Sequence, residues 1–225
     1  NSEIPFAGHP TLGTAAIIRE HLADAEPDPI TLHLEVGDVP VRVAGDPDDP
    51  LYWMTQQPPA FGETFDRETA AAALGLSPAD VRDDLPVQWV STGLPTVVVP
   101  LRDRDALERI DVDRDGYEAL TGDHDGKNVL AFCPDPRDPV HDYADRVFSP
   151  FYGVPEDPAT GSSNGCLAGY LARHLGEPLD AVVEQGYEMG RPSLLHLRAD
   201  ELADGDDIEV QVGGRVVPVA RGDLY

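Results

Sequence analysis

Apolar positions along the chain follow more than one rhythm. Residues 10–22 and 162–175 are small and apolar on most sides (Ala15, Ala16, Ile17, Ile18; Leu167, Ala168, Gly169, Leu171), which predicts two helices enclosed by other structure. ITLHLEV, residues 30–36, alternates apolar and polar as a half-buried strand does. PTVVVPL, residues 95–101, is a nearly continuous apolar run and predicts a buried strand. Further strands are expected at 51–56, 87–92 and 129–133, and a hairpin at 208–212 and 216–220 around Gly213-Gly214. Short peripheral helices are expected at 66–74 and 77–83, the second with Ser77 as N-cap and Pro78 in its first turn.

These elements repeat. At an offset of 153, Glu3 falls on Glu156, Pro5 on Pro158, Gly8 on Gly161, Ala15 on Ala168, His21-Leu22 on His174-Leu175, Glu35 on Glu188 and Gly37 on Gly190. Each copy reads turn, apolar helix, short polar link, then a strand entering a glycine turn. The expected fold is α+β, with two pseudo-symmetric lobes, each a curved, mostly antiparallel sheet wrapped around its central helix. A division at Pro86 gives a first lobe of 1–85, a second of 86–207, and a C-terminal hairpin, 208–225, that can return to the first lobe. Only Asn1 and Ser2 precede Glu3, so the repeat leads us to expect roughly 65 residues of leading strands upstream of Asn1.

Charge narrows the class of partner. The 225 residues hold 42 acids against 16 bases, a net charge of -26, and Lys127 is the single lysine. Acids scattered through every segment read as a solvated surface suited to a high-salt cytoplasm, where screening shrinks their repulsion. No basic stripe exists for nucleic acid or for an anionic membrane surface. No apolar run reaches the roughly 18 residues of a spanning helix. Cys133 and Cys166 have neither disulfide nor zinc spacing, so no metal site is expected from them.

The chemistry-bearing candidates lie where the repeat superimposes GHPTLG, residues 8–13, on GSSNGC, residues 161–166. A helix amino terminus presents free N–H groups and the positive end of the dipole, so two of them facing one cleft could hold a carboxylate or an enolate-like charge. His9 and Ser162 occupy equivalent places, with Asp157 just before the second turn. We take His9, Asp157 and Ser162 as catalytic candidates, and Gly8, Thr160, Gly161 and Ser163 as the groups around a small carboxylate substrate. Such a set suits proton abstraction beside a carboxylate followed by reprotonation elsewhere, and needs no redox cofactor. The same residues also allow a structural reading, in which the glycines permit tight turns, Asp157 caps a helix and His9 is a satisfied structural histidine. Glu156 beside Asp157 raises the prospect of like-charge repulsion between the two carboxyls. DVDRDG, residues 111–116, starts like a calcium loop, but its twelfth position is Gly122 where a glutamate is required. Nucleophile-elbow, HExxH, Rossmann and P-loop signatures are missing from the sequence.

Four segments, IPFAGHPTLGTA (4–15), MTQQPPAF (54–61), FSPFYGVPEDPATGSSNG (148–165) and QGYEMGRPS (185–193), together resemble the PhzF family of phenazine-biosynthesis-like isomerases. The resemblance implies the diaminopimelate-epimerase-like fold, proton-moving isomerisation of a small acid, no metal and no organic cofactor, and a homodimer. By motif position His9, Asp157 and Ser162 resemble the family's active-site histidine, aspartate and serine, with Gly161 in the same turn. The family's general-base glutamate lies in a segment upstream of anything in this sequence, so the resemblance implies that these 225 residues alone cannot complete the proton transfer. The rival expectation is a non-catalytic small-acid-binding or structural relative that kept the fold.

Overall fold

The computed structural model describes residues 6–122, 124–202 and 207–222. Glu3 and Pro5, the first positions of the repeat, lie outside them. After the opening helix α1 (Gly8–Ile17), which ends in a π turn (Ile18–Leu22), come three strands, β1 (Ile30–Leu34), β2 (Gly37–Asp46) and β3 (Asp49–Thr55). Strand β4 (Ala60–Phe65), helix α2 (Arg67–Ala73), strands β5 (Val87–Ser91) and β6 (Thr96–Pro100), helices α3 (Arg104–Glu108) and α4 (Arg114–Thr121), and strands β7 (Asn128–Cys133), β8 (Tyr143–Ser149) and β9 (Val154–Asp157) come next. A second long helix, α5 (Gly161–Leu175), then leads into three more strands, β10 (Leu179–Gln185), β11 (Ser193–Glu201) and β12 (Ile208–Arg215).

The repeat is visible in this order, as a helix followed by a three-stranded antiparallel meander, twice. The meanders join edge to edge where β3 pairs antiparallel with β12, with Met54 opposite Val212 and Trp53 opposite Gly213. One sheet results, in the order β1-β2-β3-β12-β11-β10-β8-β7-β6-β5-β4, with β9 attached to β8. Its pairings are antiparallel except β6/β7 and β8/β10.

Helix α5 fixes the curvature. It touches β12 and β11 and also β5 and β6, although β12 and β5 stand six places apart in the sheet, about 29 Å if flat. A helix about 10 Å across reaches both only if the sheet closes around it. Consistent with that enclosure, Gly161 to Ala172 are all buried. The strands then acquire two apolar faces. Val98, Leu130 and Phe132 turn inward to α5, while Val97, Val99, Val129, Ala131 and Cys133 turn outward to Ala70, Leu74, Leu107, Tyr117 and Leu120 of the outer helices and the turn after α2. The continuous apolar run at 95–101 is this doubly covered strand.

Three sequence expectations are corrected. The hairpin around Gly213-Gly214 does not form, because both glycines lie inside β12 and residues 216–222 carry no regular structure. A side chain on Gly213 would stand 2.8 Å from the Trp53 ring, so the residue is small to admit that ring and not to turn the chain. Residues 77–83 form a turn and not a helix: Asp80 accepts from Ser77 N, and Val81 bridges to Leu101. Third, residues 60–85 pack with the chain beyond Pro86, since β4 pairs with β5 and α2 packs on α4. The chain leaves the first meander after Thr55, well before that proline. Asp113 of DVDRDG serves as the N-cap of α4, accepting from Gly116 N at 2.7 Å.

Candidate active site

The amino termini of α1 and α5 abut. A methyl group on Gly8 would stand 2.6 Å from Gly161 Cα and 2.9 Å from Ser162 N, and one on Gly161 would stand 2.7 Å from Met54 Cε. Neither glycine has positive φ, so the site requires their lack of a side chain and not a left-handed turn. Both helix starts are free of side-chain caps. Ala7 and Thr160 hold the N-cap positions without accepting from the first turn, and neither first turn contains an acid. Two sets of first-turn N–H groups without a side-chain cap among the described residues, and two positive dipole ends, therefore come together.

Beside them lies a cleft of about 250 Å³ whose lining includes His9, Leu94, Asn128, Ser149, Tyr152, Asp157, Thr160 and Ser162. Among the described residues no lysine or arginine is in that lining. A negative group in the cleft would thus be held by backbone amides.

His9 sits in the first turn of α1, with Nδ1 3.0 Å from the carbonyl of Ala159. A carbonyl can only accept, so Nδ1 carries the hydrogen and Nε2 is the nitrogen that can exchange a proton with a ligand. Asp157 ends β9, and its Oδ2 accepts from the Thr160 hydroxyl. Gln185, at the end of β10, braces both: its Nε2 donates to Asp157 O at 2.6 Å and to Thr160 Oγ1 at 2.9 Å, and its Oε1 accepts from Thr160 N at 2.9 Å. Thr160 is thereby a holder of Asp157 as well as part of the wall. Asp157 does not cap α5.

Ser162 faces the cleft, but Ser163 does not. Ser163 is fully buried, 2.9 Å from Thr96 Oγ1 and 3.4 Å from Asn128 Nδ2, so its placement among substrate-binding groups is corrected. About 100° of helical rotation separates the two serines and sends one into the core. Glu156 and Asp157 also diverge, as neighbours on a strand do. Glu156 receives the fork of Arg146 in two bonds of 2.8 Å, so the two carboxyls do not share a site.

Four polar residues escaped the sequence reading as site members. Gln56 spans from Thr92 to the carbonyl of Gly161, accepting at 2.6 Å and donating at 2.8 Å. Asn128 and Ser149 form a buried pair in the cleft wall, with Ser149 Oγ donating to Asn128 Oδ1 at 2.7 Å. Gln185 is the fourth. The available signal was a polar residue at the edge of an apolar strand, and Gln56 and Gln185 both lay within the segments that carry the family resemblance. Among the described residues no cluster of three His, Cys, Asp or Glu is arranged to hold a metal, and no helix is long and apolar enough to cross a membrane.

Residues 1–222 match the model of the phenazine biosynthesis-like protein family, PhzC-PhzF. A trans-2,3-dihydro-3-hydroxyanthranilate isomerase of Pseudomonas aeruginosa is 35% identical over 235 residues, covering 100% of this chain and 76% of its own. The structure described as a predicted epimerase from Pseudomonas aeruginosa superposes with a TM-score of 0.78 at 35% identity, over 99% of this chain and 76% of that one. A PhzF-family phenazine biosynthesis protein of Bacillus anthracis superposes with a TM-score of 0.84 over 95% of this chain and 74% of that one, and at 24% identity shows the shared fold. On a family match that spans nearly the whole chain, this protein belongs to the phenazine biosynthesis-like, PhzF, family of isomerases and epimerases.

Proposed function

We propose that the protein isomerises a small carboxylic or amino acid by moving a proton between carbons, with general acid/base groups in the cleft between the two helix starts. The observation that carries the reading is the pair of uncapped amino termini meeting at Gly8 and Gly161 over a wall that holds His9 and Asp157. Loss of a proton beside a carboxylate puts charge on its oxygens. Preorganised N–H groups stabilise such charge at no cost of reorganisation. His9 Nε2 and the Asp157 carboxyl are then the groups that hold or return the proton, and Ser162 offers a hydroxyl to the bound acid. The relative's substrate, a dihydro-hydroxyanthranilate, is the first compound to try.

The protein as expressed from its own gene should be incubated in deuterium oxide with that compound and a set of small amino and hydroxy acids. Solvent deuterium should enter one of them, at a rate reduced by about 10²–10⁴ in His9→Asn and in Asp157→Asn. Binding heat without deuterium uptake would replace the isomerase by a small-acid-binding relative of the same fold.

A further inference from the structure

Beneath the cleft, two side chains share an unfilled requirement. Asp145 on β8 and Asn164 in α5 are both buried, at 1% and 0% exposure, and joined by one hydrogen bond, Asn164 Nδ2 to Asp145 Oδ2 at 2.8 Å. The remaining oxygen of each, Asp145 Oδ1 and Asn164 Oδ1, is buried without a hydrogen-bond partner among the described residues. Two orphaned acceptors on bonded neighbours would be an expensive accident, since each gives up its bonds to water on burial and gains none in return.

Reversing the amide does not relieve it. Asn164 Nδ2 faces three acceptors, Asp145 Oδ2, Gln185 Oε1 at 3.1 Å and the Thr160 carbonyl at 3.3 Å, so exchanging its nitrogen and oxygen would set oxygen against all three. Gln185 is held in turn by Thr160 N–H on Oε1 and by Asp157 O on Nε2. With every amide fixed, a hydrogen on Asp145 Oδ1 shared with Asn164 Oδ1 would satisfy both orphans.

We infer that Asp145 is a neutral carboxylic acid in the folded protein, its Oδ1–H donating to Asn164 Oδ1, so that acid and amide close a two-bond ring under the amino terminus of α5. The ring is a positioning device. It holds Asn164, which holds Gln185, which orients Thr160 and the backbone of Asp157. The surroundings favour the neutral form. Burial pushes the Asp145 carboxyl well above the usual range, and the charges acting on it from β9 and the turn after β10 are the acids Asp157, Glu156 and Glu188. The cation next in sequence, Arg146, is engaged with Glu156 and the carbonyls of Leu107 and Ile110. Across β7 and β10 its strand partners are the uncharged Phe132 and Gln185.

The protonation stands apart from the isomerase reading, while its bearing on Asp157 rests on that reading, and the test separates them. Carbon-13 NMR of wild-type protein labelled in aspartate carboxyls should show one neutral carboxyl at pH 7, missing from Asp145→Asn. Only ionised carboxyls in the wild type, or a neutral signal that persists in Asp145→Asn, would overturn the inference. Folding stability supplies a second readout. A raised folded pKa means that stability is fully present below the unfolded pKa, near 3.9, and is lost as pH rises toward the folded value, up to tenfold in the folding equilibrium per pH unit. Asp145→Asn, whose amide can donate and accept in the same places, should abolish that dependence while keeping deuterium exchange within about twofold. Asp145→Leu, which removes both the donor to Asn164 Oδ1 and the acceptor at 2.8 Å from Asn164 Nδ2, should lose at least about tenfold. If wild-type protein exchanges no deuterium, the isomerase reading fails and the carboxyl signal still decides the protonation.

Discussion

Gly8 and Gly161 occupy equivalent places in the repeat, yet a methyl group would meet different neighbours at each. On Gly8 it would press on backbone, at 2.6 Å from Gly161 Cα, whereas on Gly161 its tightest contact would be the end of Met54 at 2.7 Å, a side chain that can rotate aside, with the Gly8 backbone farther off at 3.2 Å. Gly8→Ala should therefore cost about 1–3 kcal/mol by overpacking. Gly161→Ala should cost less, and thermal midpoints of the two variants give the order; a larger loss in Gly161→Ala would overturn it. The sequence revealed that these glycines are equivalent, because the repeat aligns them. It did not reveal their task, since turn glycines and contact glycines look alike until the partner helix is in place. Ser162 and Ser163 were ambiguous for a related reason: which of two adjacent serines meets the cleft depends on the rotational setting of α5. The positions of His9 and Asp157 beside the helix starts were legible because their motif fixes them there.

At the scale of elements, β12 decides how the two meanders become one sheet. It lies between β3 and β11, so its eight residues close both neighbours at once. The segment after it, 216–222, is without regular structure, with Val217 and Val219 largely exposed. Ending the chain after Arg215 should lower the thermal midpoint by only a few degrees, since Val216 alone of its valines packs on the core. Ending it before Ile208 should strip amide protection from both β3 and β11, because each loses a row of ladder bonds. Hydrogen exchange over 49–55 and 193–201 distinguishes the cases; protection retained there in the shorter chain would count against a bridging strand. Periodicity placed β1, β3, β5, β6 and β7 but misread this one, as the pair Gly213-Gly214 carries a strong local turn signal that a long-range contact with Trp53 overrides. Helices α3 and α4 went unseen because they are five and eight residues long and start at Asp caps within acidic stretches.

Across the whole molecule, charge and site act against each other. A surface carrying -26 surrounds a cleft with no lysine or arginine in its described lining, so under the proposed reading an anion is held there by backbone dipoles. The long-range field repels a carboxylate, while the short-range cradle attracts it. Salt weakens the first far more than the second, since the Debye length falls from about 30 Å at 0.01 M to about 3 Å at 1 M, whereas the amides act in direct contact. Binding of a small carboxylate should therefore tighten as salt rises, by about tenfold over that range, given that summed surface potentials reach several kT. Thermal stability should rise with it, as the same screening relieves repulsion among the scattered acids. Titration calorimetry at matched pH across the salt series measures the first effect and calorimetric melting the second. Binding that weakens steadily with salt would mean that an arginine outside the described lining, and not the paired helix termini, holds the anion.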